Sequence, residues 1–262
     1  MKTETFDVTV GDHTLRVQRL SVGAPADAPT LVFLHDSLGS IALWKRFPAT
    51  LADALKLDAI VFDRRGYGDS SYFPSTPRTP RYLEDEAAAL GNTLSALGIA
   101  SAILFGHSDG GSIALIAAAL FPERILAVIT EGAHVYVEDV TLAGIREAQQ
   151  TLLTTNLREK LMRYHGDRTD GVTSAWIDTW LMPEYRDWNI EAYLPRVTCP
   201  VLAIQGADDK YGTAAQVQSI VEGVAGDSQA LIVDGVGHTP HRDAADVVLR
   251  ASIDFLSKHD VR

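Results

Sequence analysis

The chain opens with two segments in which apolar and polar residues alternate, Phe6–Val10 and Thr14–Leu20, separated by Gly11-Asp12. Alternation at a period of two marks strands with one buried face, and the glycine-bearing turn between them predicts a hairpin. The pattern then changes to short, continuous apolar runs: Leu31–Leu34, Ala59–Phe62, Ala102–Phe105, Ile125–Thr130, Val201–Gln205 and Ala230–Val233. Such runs suit strands covered on both faces. Stretches with helical spacing lie between them: Leu43–Leu55, Tyr82–Leu97, Ser108–Leu120, Ala214–Glu222 and Ala244–Leu256. Gly98 stops the second of these and Pro122 follows the third. Strands alternating with helices predict parallel pairing, with helices on both faces of one sheet.

From about Val137 to Arg196 that rhythm breaks. The spacing is helical, the composition more polar, and no buried strand is evident. The expected organisation is an α/β core domain made of residues 1–134 and 197–262, with a helical cap of residues 135–196 inserted between strands. An insertion after a strand lies over the carboxyl ends of the sheet, where open α/β sheets bind ligands.

Composition narrows the field. A chain of 262 residues suffices for one large α/β domain with a full core, and is short for two domains and a linker. A net charge of −11 repels phosphate backbones and anionic bilayers, so neither nucleic acid nor membrane is expected as a partner. Cys199 is the single cysteine, so no intrachain disulfide can form, and a packing role is expected for it. Met1–Thr5 has no apolar signal core, and no run approaches the ~20 apolar residues that span a bilayer. The expectation is a cytoplasmic monomer or homodimer acting on a small molecule.

Chemistry is concentrated in Gly106-His107-Ser108-Asp109-Gly110, a G-x-S-x-G motif between the strand Ala102–Phe105 and an apolar helix. That context gives the motif its meaning. The sharp reversal forces Ser108 into a strained conformation, and glycines two before and two after remove side chains that would collide. The hydroxyl then stands at a helix N-terminus, where N–H groups favour developing negative charge. Ser108 is therefore the expected nucleophile, with the Asp109 backbone N–H as one oxyanion donor. The Asp109 carboxylate is expected to stabilise the first helical turn, with a cationic substrate group as its alternative partner. His107 is expected to support the turn.

A serine hydroxyl needs a base to take its proton. His238 lies in the loop Asp234-Gly235-Val236-Gly237-His238 that follows a strand, whereas His241 is near the start of the final helix. Loop position favours His238, with His241 supporting the loop. The acid should end the preceding strand, where Asp208 and Asp209 stand side by side. Its role is to accept from one imidazole nitrogen and stabilise imidazolium.

Taken together, His35–Ser40, Asp63–Ser70, the elbow, Gly206–Asp209 and Gly237-His238 resemble the α/β-hydrolase superfamily over nearly the whole chain. The Ser108-Asp109-Gly110-Gly111 form of the elbow is similar to the biphenyl-hydrolase-like and valacyclovir-hydrolase-like branch. The resemblance implies the order Ser…acid…His and a Gly-x-x-Asp pattern, which selects Asp209. It also places the second oxyanion donor in the loop after the third strand, at the Ser37 N–H, with Leu38 second. Asp36 departs from the glycine that many relatives carry there. The implied activity is hydrolysis of a small carboxylic ester or lactone through an acyl-enzyme on Ser108, without cofactor. A C–C bond hydrolase of the meta-cleavage type, or a sensor that keeps the triad, are the alternatives. A dehalogenase is disfavoured, because its nucleophile would be Asp where this chain has Ser108.

Trp176, Trp180 and Trp188 cluster in the cap segment, and the first two share a helix face. Cap packing accounts for them, or they form an aromatic wall over Ser108. Leu38, Trp176 and Trp180 are the expected substrate-binding residues. No metal is expected, since His238 and His241 lack a third ligand of suitable spacing beyond Asp243.

Overall fold

In the computed structural model, which describes residues 1–261, the alternating segments form β1 (Lys2–Val10) and β2 (His13–Ser21), paired antiparallel over their full length. Both strands run past their apolar alternation. Lys2–Thr5 is exposed and polar throughout, so cross-strand hydrogen bonding extends β1 where no hydrophobic period marks it. The continuous apolar runs form β3 (Thr30–Leu34), β4 (Ala59–Phe62), β5 (Ala102–His107), β6 (Ile125–Glu131), β7 (Val201–Gly206) and β8 (Ser228–Val233).

One eight-stranded sheet results, in the order β1-β2-β4-β3-β5-β6-β7-β8. The pairs β1/β2 and β2/β4 are antiparallel, and every pairing from β4 to β8 is parallel. Side chains alternate across the sheet as the pleat requires. Leu31 and Phe33 enter the core on one face, Val32 and Leu34 the core on the other.

The helices are α1 (Phe47–Leu55), α2 (Tyr82–Ala96), α3 (Asp109–Leu120), α4 (Asp139–Thr154), α5 (Leu157–His165), α6 (Thr169–Leu181), α7 (Ala214–Gly223), α8 (Pro240–Asp243) and α9 (Ala245–Lys258). Every residue of α3 from Asp109 to Ala119 is buried. A helix apolar all round must be covered all round, and α3 lies under the sheet with α2 and the end of the cap segment around it. A single helix over Leu43–Leu55 does not form. A 3₁₀ turn at Ile41–Trp44 ends at Lys45, whose φ of 54° breaks the path before α1 begins. The apolar spacing runs through this break, so periodicity alone cannot locate it.

Helices α4, α5 and α6 form an inserted cap between β6 and β7, and a bridge between Tyr136 and Asn189 joins the two ends of the inserted segment. No helix among the described residues is long and apolar enough to cross a membrane. Cys199 is partly buried, and burial pushes its thiol up to about 11, which suits a packing residue.

Candidate active site

Ser108 stands between β5 and α3 at φ 54° and ψ −120°, a conformation that costs a non-glycine residue free energy and clusters at functional sites. The flanking glycines are explained by space. A Cβ on Gly106 would overlap the Gly110 carbonyl, and one on Gly110 would overlap the carbonyls of Leu34 and His35. The turn can therefore close only with glycine at both positions.

His238 and Asp209 reach the same end of the sheet from the loops after β8 and β7. His238 Nδ1 lies 2.7 Å from Asp209 Oδ2. Gln205 Nε2 donates to the same oxygen at 2.6 Å, and the Tyr211 N–H donates to Oδ1 at 2.8 Å. Burial would raise the Asp209 pKa, but the facing His238 and the Tyr211 N–H hold it below the ordinary carboxylate value. Asp208, by contrast, is exposed in the turn. Ser108 and His238 line one cavity of about 190 Å³ together with Ser37, Leu38, Asp109, Trp176 and Trp180. No hydrogen bond joins Ser108 Oγ to His238 among the described residues, a looseness common before substrate enters.

Two residues that line this cavity have uncommitted backbone donors. Neither the Ser37 N–H nor the Asp109 N–H donates to another group among the described residues. The Leu38 N–H is engaged by Asp36 Oδ2 at 3.4 Å. Asp36 thus folds its own loop, and its backbone carbonyl receives His35 Nδ1 at 2.7 Å and Arg64 Nη2 at 3.1 Å.

His107 links three parts of the site. Its Nε2 donates to the His238 carbonyl at 2.7 Å, and its Nδ1 is 3.7 Å from Asp36 Oδ1. Burial alone would lower its pKa, but Asp36 and, more weakly, Glu131 lift it to about 9. The charged imidazole then donates from Nε2 to the loop of His238 and forms an ion pair with Asp36 through Nδ1, tying the His35–Ser40 loop to the loop of His238. His241 is buried and engages Glu131 through both its backbone N–H, at 2.5 Å, and its Nδ1. Donor atoms of His107, Glu131 and His241 lie within 4.8 Å of one another. Because these donors hydrogen-bond one another or the His238 backbone, the cluster braces the loop.

Asp109 is 2% exposed and its Oδ2 is 3.4 Å from Arg64 Nη2. Arg64 is also paired with Glu86 at 2.5 Å, and Glu86 in turn with Arg78. Two carboxylates and two guanidiniums therefore share a buried cluster beneath the elbow. Removing one partner from such a group leaves an uncompensated charge, at a cost of about 3–5 kcal/mol. Arg64→Met is expected to lower the free energy of unfolding by that amount in urea titration. A change within experimental error would show that Glu86 and Asp109 are held by other means.

Gly132, just after β6, has φ 59°, and a Cβ there would come 2.9 Å from His238 Cε1 and 3.5 Å from Asp209 Oδ2. Gly132→Ala should displace the imidazole, and a shift near 1 Å typically costs about 10²-fold in rate. Steady-state kinetics on an activated ester would register the loss in kcat, and an unchanged kcat would mean that His238 tolerates the methyl group.

Several contributors escape sequence reading. His134 lines the cavity and donates from Nε2 to the Tyr211 carbonyl at 2.8 Å, and burial lowers its pKa, keeping the imidazole neutral. Thr141 donates to the same carbonyl at 2.5 Å, so two residues fix the segment whose Tyr211 ring packs edge-on to His238, 4.7 Å between centroids. Among the tryptophans, Trp180 both lines the cavity and donates to Tyr82 Oη at 2.8 Å, while Trp176 contacts Tyr211 across the cavity wall. Trp188 stacks on Tyr185 and donates to Glu84 at 3.3 Å, as a cap-to-body anchor.

The family model described as the alpha/beta hydrolase fold matches residues 29–193. The human serine hydrolase BPHL is 32% identical over 203 residues, covering 75% of this chain and 68% of the human protein. The 2-(acetamidomethylene)succinate hydrolase of Mesorhizobium japonicum is 24% identical, over 95% of this chain and 94% of that protein. Among solved structures, a bacterial membrane phospholipase A superposes with a TM-score of 0.79 at 20% identity, over 99% of this chain and 87% of that one.

Proposed function

The chain belongs to the α/β-hydrolase family, an enzyme of the serine-hydrolase superfamily acting on ester, lactone or C–C bonds, and from that premise we propose that it cleaves small carboxylic esters or lactones through an acyl-enzyme on Ser108. The observation that carries this reading is the His238–Asp209 pair at 2.7 Å, sharing one cavity with a serine on a strained elbow. His238 Nε2 removes the Ser108 proton as Oγ attacks the carbonyl carbon, and Asp209 stabilises the imidazolium that forms. The tetrahedral oxyanion takes the N–H groups of Ser37 and Asp109, which have no other acceptor among the described residues. Collapse expels the alcohol, protonated by His238, and water repeats the cycle on the acyl group.

Residues 135–196 act as the cap of this enzyme, and Leu38, Trp176 and Trp180 line the acyl or alcohol pocket. The substrate is a small molecule, and the mechanism uses no cofactor. The test is a panel of an activated ester, a lactone, and a vinylogous diketone, paired with fluorophosphonate labelling and peptide mass mapping. Sustained ester or lactone turnover with label on the Ser108 peptide is expected. Turnover of the diketone alone would move the assignment to C–C cleavage. Label elsewhere, or a single turnover that stops, would overturn the proposal.

A further inference from the structure

A second cavity, of about 280 Å³, adjoins the first and shares Asp36, His107 and Thr239 with it. The two cavities therefore lie side by side at this end of the sheet. Lys45 and Arg242 stand on its walls, and so do Ser40 and Trp44. Ser40 Oγ and Trp44 Nε1 are buried with no hydrogen-bond partner among the described residues. Buried polar groups in folded proteins are nearly always partnered, and an indole N–H, an ammonium and a guanidinium can only donate. These groups together ask for an acceptor.

We propose that this second cavity binds a carboxylate on the substrate, so that the esters preferred at Ser108 carry an anionic tail. The inference rests on Ser108 as the nucleophile and adds the substrate class. In a chain of net charge −11, a wall bearing two cations is a local reversal of sign. The cap contributes too, since Lys45 Nζ is 3.4 Å from Tyr164 Oη and 5.2 Å from the centre of that ring. Lys45 also holds φ 54° and ψ −124°, a conformation close to that of Ser108 and rarely kept by a lysine without cause.

Opposing charges set the choice of anion. Asp36 lines the cavity but faces the charged His107. Asp243 pairs with Arg242 at 2.9 Å, and Glu131 is engaged by His241. Lys45 is then the cation on this wall that no carboxylate faces among the described residues, and a single negative charge balances it where a dianionic phosphate would leave one charge in excess.

The Ser108→Ala protein separates binding from turnover. Monomethyl esters of dicarboxylic acids of increasing chain length are titrated against the matching dimethyl esters by calorimetry. At the best length the monoester is expected to bind about tenfold tighter, the scale of hydrogen bonds to a charged group. Charge reversal in Lys45→Glu/Arg242→Glu, both on exposed side chains, should abolish that preference. Trp44→Phe, which keeps the ring and removes the N–H, should reduce it. Equal affinities at every length, or a preference untouched by charge reversal, would overturn the proposal. Tighter binding of a phosphate-tailed ester of equal length would overturn the choice of carboxylate. Turnover of the neutral diesters by the unmutated enzyme tests Ser108 chemistry separately, so either claim can fail while the other stands.

Discussion

Ser108→Ala is expected to lower kcat on a p-nitrophenyl ester by roughly 10⁵–10⁶, the scale on which loss of a serine nucleophile acts when the three residues work as a unit. Ser37 Oγ lines the same cavity, but it belongs to the loop whose N–H is assigned to the oxyanion. The substitution should leave folding intact, because the Ser108 hydroxyl makes no cap hydrogen bond to α3. Circular dichroism and thermal unfolding would check that point. An alanine variant with activity within tenfold of the parent would mean that another group attacks the carbonyl, and the whole assignment would fall.

Asp209→Asn comes second, with an expected loss of about 10⁴ in kcat and little change in KM. The reasoning is one of donors and acceptors. His238, Gln205 and the Tyr211 N–H all aim donors at the two Asp209 oxygens. An amide offers one oxygen, so its NH₂ must face at least one of these donors. With its oxygen in the Oδ1 place the amide keeps the Tyr211 bond but turns its NH₂ on Gln205 and His238, which excludes the Nδ1–H tautomer of His238; with its oxygen in the Oδ2 place it keeps His238 and Gln205 but sets its NH₂ against the Tyr211 N–H. If the variant retained more than a tenth of the parental kcat, Asp209 would be no more than a structural residue, and Asp208 could not substitute from its exposed position. Asp209 is held below the ordinary carboxylate pKa, so this support persists through neutral pH. It fades only as pH falls through that lowered value, which a kcat profile on the acid side would follow.

The parts of the site that could be read from sequence are those fixed by local chain geometry. The elbow is five contiguous residues between a strand and a helix, and the loops bearing Asp209 and His238 each follow an apolar run directly. What could not be read depends on residues far apart in the chain. Glu131 ends a strand in an otherwise apolar run, and only the fold sets it against His241. Arg64, Glu86 and Asp109 meet because β4, α2 and α3 converge beneath the elbow. His134 carries no motif at all. The departure at Asp36 was visible, but its partner His107 sits on a different strand, so the consequence for the loop was not. The break at Lys45 is likewise tertiary, since nothing in the local spacing asks for a left-handed residue there.

The order of strands has a consequence for how the enzyme comes into being. Ser108 follows β5 near the middle of the sheet, while Asp209 and His238 follow β7 and β8, the last two strands at one edge. A chain emerging from the ribosome lays down the elbow and the whole cap before either partner exists, and domains generally take shape from their N-terminal side during synthesis. On the proposed mechanism, reactivity therefore arrives late and all at once, when the terminal strand docks. A partly made or C-terminally clipped product would hold a serine at a strained turn without the His238–Asp209 pair beside it.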